Sequence, residues 1–279
     1  MKKLLACFLV IALLLPALCL AEDTSVAWSF PLALKDINST VLDLANSENP
    51  LPEDYAPDDL MTMRTRKNDA DGLNTNGGIY MATTTKIILR RIAGNALVKL
   101  VNAAQTDGIT LYARAGYRTR ADQEKRYARA EASGKLDYVQ KPGECDYETG
   151  LAVTMVSKEY RASELDESFA TTAEAQWLAK NCTRFGFIIR YPEGKEDVTG
   201  NKYEPWHLRY VGPTVAAYIT ENNLTLEEFL DSYNTALDEF VAAGGDLEEA
   251  LQLGVLPDGP VELDAVDSEG DHEITIFHD

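Results

Sequence analysis

Residues 142–154 read PGECDYETGLAVT, and residues 203–210 read YEPWHLRY. The first stretch opens on turn-forming Pro142 and Gly143 and crowds Cys145, Asp146, Tyr147 and Glu148 together. It then passes into an alternation of Leu151, Val153 and Met155 that predicts a strand. The second sets Glu204 three residues ahead of His207, beside Trp206. The chain has 3 histidines; His272 and His278 lie near its end, so His207 is the imidazole available to its body. A carboxylate and an imidazole this close are the residue types of general-base and metal chemistry, and equally of a hydrogen-bonded structural histidine.

Upstream, Ile109, Leu111 and Ala113 alternate as a strand would and deliver Gly116, Tyr117 and Arg118 to its end. Before it, Leu89, Ile92, Ala93, Ala96, Leu97, Leu100 and Ala104 recur at helical steps, predicting a helix from Thr83 that Gly108 stops. Thr119 and Asp122 make a capping pair for a helix through Gln123, Tyr127 and Ala130, ended by Gly134. Thr171 or Thr172 opens a helix bearing Trp177, Leu178, Cys182 and Phe185, closed by Gly186, and residues 187–191, FIIRY, form a short buried strand. Gly212 and Pro213 start another helix. Thr225 and Glu228 form a capping box for one reaching Ala243, with Gly244 after it, and Asp246 caps a short helix to Leu253. Strands and helices interleave, so the expected fold class is α+β, a small antiparallel sheet flanked by helices. Residues 44–61, rich in Pro, Asn and Asp, read as an ordered wrapping segment, and residues 67–78 as a polar loop.

With 279 residues, 45% of them apolar and 25% charged, the composition is that of an ordinary globular domain with extensions. Residues 1–21 carry Lys2 and Lys3, an apolar run over 4–18 and then Cys19, Leu20 and Ala21, the pattern of a secretory signal peptide cleaved after Ala21. That run is short of the ~20 apolar residues a membrane span needs, and no later stretch is apolar enough. The expected location is therefore outside the cytoplasm, in the cell envelope or secreted. The two cysteines left after cleavage, Cys145 and Cys182, are expected to pair, since exported cysteines commonly do. Net charge is −19, and residues 221–279 hold 17 acids with no Lys or Arg, so the body is near neutral and the acidity belongs to the end of the chain. This balance argues against nucleic acid or an anionic membrane as the main partner. The run Asp264 to Asp271 does not follow the calcium-loop spacing and reads as a solvated tail.

The combination of Gly116-Tyr117-Arg118 with downstream Gln123, of Pro142-Gly143 with Thr149-Gly150-Leu151-Ala152, and of Glu204-Pro205-Trp206-His207, in that order, resembles the VanY-like D-alanyl-D-alanine carboxypeptidases. These are LAS-type zinc peptidases that trim the D-Ala end of peptidoglycan stem peptides. The resemblance covers residues 44–230. Outside it, composition and helix signals read as a mature N-terminal segment over 22–43, a helical extension over 231–260 and an acidic tail over 261–279. In the family the first stretch reads P-G-x-S-E-H-Q-T-G-L-A-x-D, its His and Asp binding zinc, and the second reads E-P-W-H, with Glu as general base and His as third ligand. The resemblance thus implies that Glu204 holds the base position and His207 a ligand position, while Tyr147 and Thr154 stand where the other two ligands belong. It also implies that Arg118 binds the substrate carboxylate or steadies an oxyanion, and that Tyr117 and Gln123 belong to the substrate-binding surface.

A phenol and a neutral hydroxyl are poor replacements for imidazole and carboxylate, so no cofactor is expected, and zinc only if the domain is active. Asp146 and Glu148 flank Tyr147 and would point to the opposite face of an extended stretch. Tyr147 is expected to fill the vacated pocket, its hydroxyl meeting Glu204 or His207, and Glu204 to pair with an arginine such as Arg209 if its role is structural. Three functions follow. The first is an exported domain that has lost zinc hydrolysis and still binds a stem peptide or a cell-envelope protein. The second is a working carboxypeptidase that recruits Glu148 or a cysteine thiolate to an altered metal site. The third is an interaction protein acting through its acidic tail.

Overall fold

In the computed structural model, residues 26–68, 74–84 and 86–253 are described. The expected signal peptide and the acidic tail, with His272 and His278, lie outside the described residues. The elements run in chain order β1 (Leu60–Thr62), β2 (Tyr80–Met81), β3 (Ile88–Arg90), α1 (Arg91–Thr106), β4 (Tyr112–Ala115), α2 (Arg120–Ala132) and β5 (Ala152–Val156). They continue with α3 (Ala173–Asn181), β6 (Phe187–Ile189), α4 (Glu196–Thr199), β7 (His207–Tyr210), α5 (Pro213–Glu221), α6 (Leu226–Ala242) and α7 (Leu247–Leu253).

Five strands form one sheet in the order β2-β4-β5-β7-β6, antiparallel throughout except that β2 runs parallel to β4 at one edge, while β1 and β3 make a separate antiparallel pair. The α+β expectation holds. The boundary that moves is the start of the first helix. Leu89 belongs to β3, opposite Met61, because pairing with β1 takes residues 88–90 out of the helical pattern and Arg91 becomes the first helical residue. The punctuation is as expected. Thr119 accepts from the Asp122 N–H, Thr172 from the Ala175 N–H, and Thr225 with Glu228 closes a reciprocal capping box, each cap worth about 1 kcal/mol.

Alternation on the central strands sorts residues between two faces. Val153 and Met155 of β5 and Leu208 and Tyr210 of β7 join the main apolar core with Leu97 and Leu100 of α1, Leu178 of α3, Val215 of α5 and Phe229 of α6. Thr154, His207 and Arg209 therefore share the other face, which carries the site. Trp28 and Phe30 belong to the same core, with Trp28 edge-on to Phe240 at 5.5 Å and Phe30 edge-on to Phe229 at 5.9 Å, so residues at both ends of the described chain are packed on the domain.

The expected disulfide is not formed. Cys145 and Cys182 are both free and buried. They sit in different apolar clusters, Cys145 with Tyr147 and Ala152 below the site and Cys182 in the main core at the end of α3. Packing has made each a small buried apolar residue, and burial pushes their thiols up, to about 11 and about 12.

Candidate functional site

Register builds the site. In β5, Thr154 lies between Ala115 of β4 and His207 of β7. Residues 146–149 form a 3-10 turn rather than an extended stretch, ended by Gly150 in the left-handed region, φ 71°. A side chain at Gly150 would meet Arg90 Cγ at 3.0 Å, so the tight return from the turn into β5 needs glycine. Because the turn coils, Tyr147 folds back over β5. Its hydroxyl meets the Thr154 hydroxyl at 2.6 Å, not Glu204 or His207 as the sequence suggests. The two residues at the expected ligand positions satisfy each other.

The Tyr147 ring stacks on the His207 ring, centroids 4.4 Å apart at 29°, and the Arg118 guanidinium lies over its other face at 4.1 Å. His207 in turn meets Tyr191 edge-on at 4.9 Å. A continuous stack therefore runs from Arg118 through Tyr147 and His207 to Tyr191. The Arg118 N–H also donates to Gln123 Oε1 at 3.4 Å, and Gln123, fully buried, donates to the Gln140 carbonyl at 2.6 Å, so Gln123 steadies Arg118 from behind.

His207 is buried with a carboxylate on each ring nitrogen. Nδ1 is 2.7 Å from Glu204 and Nε2 is 3.2 Å from Asp146. Glu204 thus pairs with His207 rather than with Arg209. Burial works against a charged ring, but the two hydrogen bonds and the two negative charges outweigh it and raise the His207 pKa above its ordinary value. Both ring nitrogens are thus engaged by carboxylates, so neither points free into the cleft.

Asp146 faces the site, because the 3-10 turn rotates it inward. It is fully buried between His207, Arg209 and Arg190, with Arg190 Nε at 3.5 Å and Arg209 bonded directly. Burial alone would raise its carboxyl. Arg209, the His207 hydrogen bond and Arg190 outweigh that and hold it well below the usual carboxylate range. Arg209 also donates to the carbonyls of Val41 and Asp43, and Arg190 makes a two-pronged pair with Glu227 at 2.9 and 2.6 Å, tying the site to the N-terminal segment and to α6. Arg190 and Tyr191 are buried site residues that the sequence does not single out, and Asp146 and Arg209 take partners other than those the sequence suggests. Charged residues inside a strand read FIIRY or HLRY were the available signal. Glu148 points elsewhere, held by Arg120 at 2.6 Å and the Gly143 N–H at 2.8 Å.

A catalytic zinc needs three protein donors with free lone pairs and an open position. The donor set here does not fit one. Two hydroxyls are spent on each other, the imidazole is spent on two carboxylates, and among the described residues no group of three His, Cys, Asp or Glu is disposed to hold a metal. Above this closed floor a cavity of about 930 Å³ opens, lined by Tyr147, Thr154, Glu204 and Trp206 below and by Tyr117, Arg118 and residues of α2 at its side.

Comparison with known proteins follows the same lines. The family model of VanY, D-alanyl-D-alanine carboxypeptidase, matches residues 86–213. The YodJ protein of Bacillus subtilis (strain 168) is 37% identical over 196 residues, which are 68% of this chain and 67% of that protein. The structure of the LdcB LD-carboxypeptidase, solved for its basis of peptidoglycan recognition, is 36% identical with a TM-score of 0.58, covering 67% of this chain and 84% of that one. A mutant of the vancomycin-resistance D,D-pentapeptidase VanY in complex with Zn(II) is 28% identical with a TM-score of 0.50, covering 68% of this chain and 99% of that one. Among the described residues no helix is long and apolar enough to cross a membrane. In sequence and in fold, this chain belongs to the VanY family of D-alanyl-D-alanine carboxypeptidases.

Proposed function

We propose that this domain acts outside the cytoplasm on cell-wall peptides as a binding protein, having lost zinc hydrolysis while keeping its recognition cleft. The observation that carries this reading is the mutual hydroxyl bond of Tyr147 and Thr154 beneath an open cleft. Zinc, where relatives hold it, supplies an activated water and a polarised carbonyl. Here Glu204 is hydrogen-bonded to His207, and Tyr147 covers the ring that would face a metal.

Recognition falls to what stays available. Arg118 is partly exposed, seated on the Tyr147 ring and braced by Gln123, and its remaining N–H groups present a fork suited to a peptide carboxylate. Tyr117 and Trp206 supply aromatic surface beside it. The apolar run and small-residue boundary at residues 4–21 support export.

The test is titration of the protein with a synthetic peptide ending in D-Ala-D-Ala, with free D-Ala assayed in parallel. The expected result is saturable binding, weakened about tenfold or more by Arg118→Ala, with no D-Ala released whether or not zinc is added. Release of D-Ala that chelator and Glu204→Gln both abolish would overturn the reading.

A further inference from the structure

The cleft contains more cations than its own acids can neutralise. Of the acids lining it, Glu204 is bonded to His207 at 2.7 Å, Glu164 to Lys135 at 3.1 Å, Asp137 to Lys202 at 3.1 Å, and Asp166 accepts from the Ser168 N–H at 2.9 Å. Arg114 is spent on the carbonyls of Tyr160 and Ser163. Arg118, Arg126 and Arg129 also line the cleft, and none of them makes an ion pair with a described residue. Elsewhere Arg90, Arg120, Arg190 and Arg209 are paired with acids, while Arg66, Arg161 and Arg184 hydrogen-bond to neutral groups. In a chain with 45 acids against 26 bases, three guanidinium groups left without acids in one cleft are a local excess of positive charge.

Geometry makes that excess usable. Arg126 and Arg129 are one turn apart on α2, and with Ala130 and Ser133 they form the face of that helix that borders the cavity. Arg118, just before α2, lines the same cavity above Tyr147. Desolvation within the cleft and the positive charge of Arg118 lower the Arg126 pKa, opposed by Tyr147, Cys145 and Glu204. A guanidinium pair at this spacing offers a two-pronged seat for a second anionic group alongside the one at Arg118. The overall negative charge of the protein disfavours long polyanions, so a short ligand with few charges fits best.

We propose that the cleft selects peptides carrying two carboxylates, the C-terminal one held at Arg118 and a second, side-chain carboxylate held at Arg126 and Arg129. This deepens the peptide-binding reading and rests on it. The experiment is calorimetric titration of the leaderless chain at low salt with two synthetic peptides ending in D-Ala-D-Ala, identical except for one internal residue, Glu in one and Gln in the other. The Glu peptide is expected to bind about tenfold tighter, with an advantage that shrinks as salt rises. In an Arg126→Gln, Arg129→Gln variant the advantage should vanish while affinity for the Gln peptide is little changed. An Arg126→Lys, Arg129→Lys variant should keep part of it. The melting temperature of each variant reports any damage to the fold. Equal affinity for the two peptides, or an advantage that survives in the Gln variant, overturns the second-carboxylate seat and leaves the peptide-binding reading intact. Failure of both peptides to bind overturns the reading and the seat together.

Discussion

The hydroxyls of Tyr147 and Thr154 lie 2.6 Å apart, both buried, each the other's partner. A buried hydroxyl that loses its partner costs about 1–3 kcal/mol, whereas removing both groups together can be nearly neutral. Tyr147→Phe and Thr154→Val are each expected to lower stability in urea, and the double variant to lose less than the sum of the two by about 1 kcal/mol or more. Additive losses in that cycle would mean the bond is not formed.

Asp146 is the counter-charge for two fully buried guanidinium groups and for His207. Removing one partner of a buried ionic network strands the others in a medium that cannot solvate them, at a cost of about 3–5 kcal/mol. Asp146→Asn should therefore destabilise far more than Asp122→Asn, whose side chain is exposed near the start of α2. Chemical denaturation checks this, and a loss no larger than that of the surface variant would remove Asp146 from the network.

Stability should fall at both ends of the pH range, for opposite reasons. Asp146 and Glu227 are held below their ordinary values of 3.8 and 4.5, so their contributions are complete above those values and are lost as pH falls through the lower folded ones. His207 is held above its ordinary 6.5, so its contribution is complete below that value and is lost as pH rises through the higher folded one. Melting temperature against pH should rise to a plateau and then decline on the alkaline side. Glu227→Gln should flatten the acid limb.

The two thiols should be free but slow to react. With Cys145 raised to about 11 and Cys182 to about 12 by burial, native protein at pH 8 should resist alkylation. Denatured, unreduced chain beginning at Glu22 should release both thiols to titration. Finding none would restore the disulfide.

What could be read in the sequence was local or one-dimensional. Caps at Thr119, Thr172 and Thr225 depend on neighbours three residues away, and the alternation at 151–155 depends on one sheet face, so both were visible. The helix over 91–106 was visible too, but its first turn was overestimated because nothing local in residues 88–90 announces a partner strand near residue 61. The motif residues were all legible, and their bonds were not. Asp146 was set on the wrong face because a 3-10 turn, with its tighter period, replaced an extended segment. The Tyr147 hydroxyl was assigned to Glu204 or His207 because only β-sheet register brings Thr154 nearer. The cysteines were paired by compartment logic, while the fold put them in separate clusters. Nothing local in the sequence announces the partners of Arg190 and Arg209, which the meeting of β6, β7, α6 and the N-terminal segment supplies.

The measurement that bears most directly on the proposed loss of the metal site is zinc content by elemental analysis of the purified protein after exposure to zinc and removal of excess. It is run beside a Tyr147→His, Thr154→Asp double variant, which installs the imidazole and carboxylate that the family pattern implies at these positions. The expected result is a natural protein without stoichiometric zinc and a double variant that retains one ion per chain. Stoichiometric zinc in the natural protein would contradict the reading of Tyr147, Thr154 and His207 as a closed set, and would make hydrolysis the next property to assay.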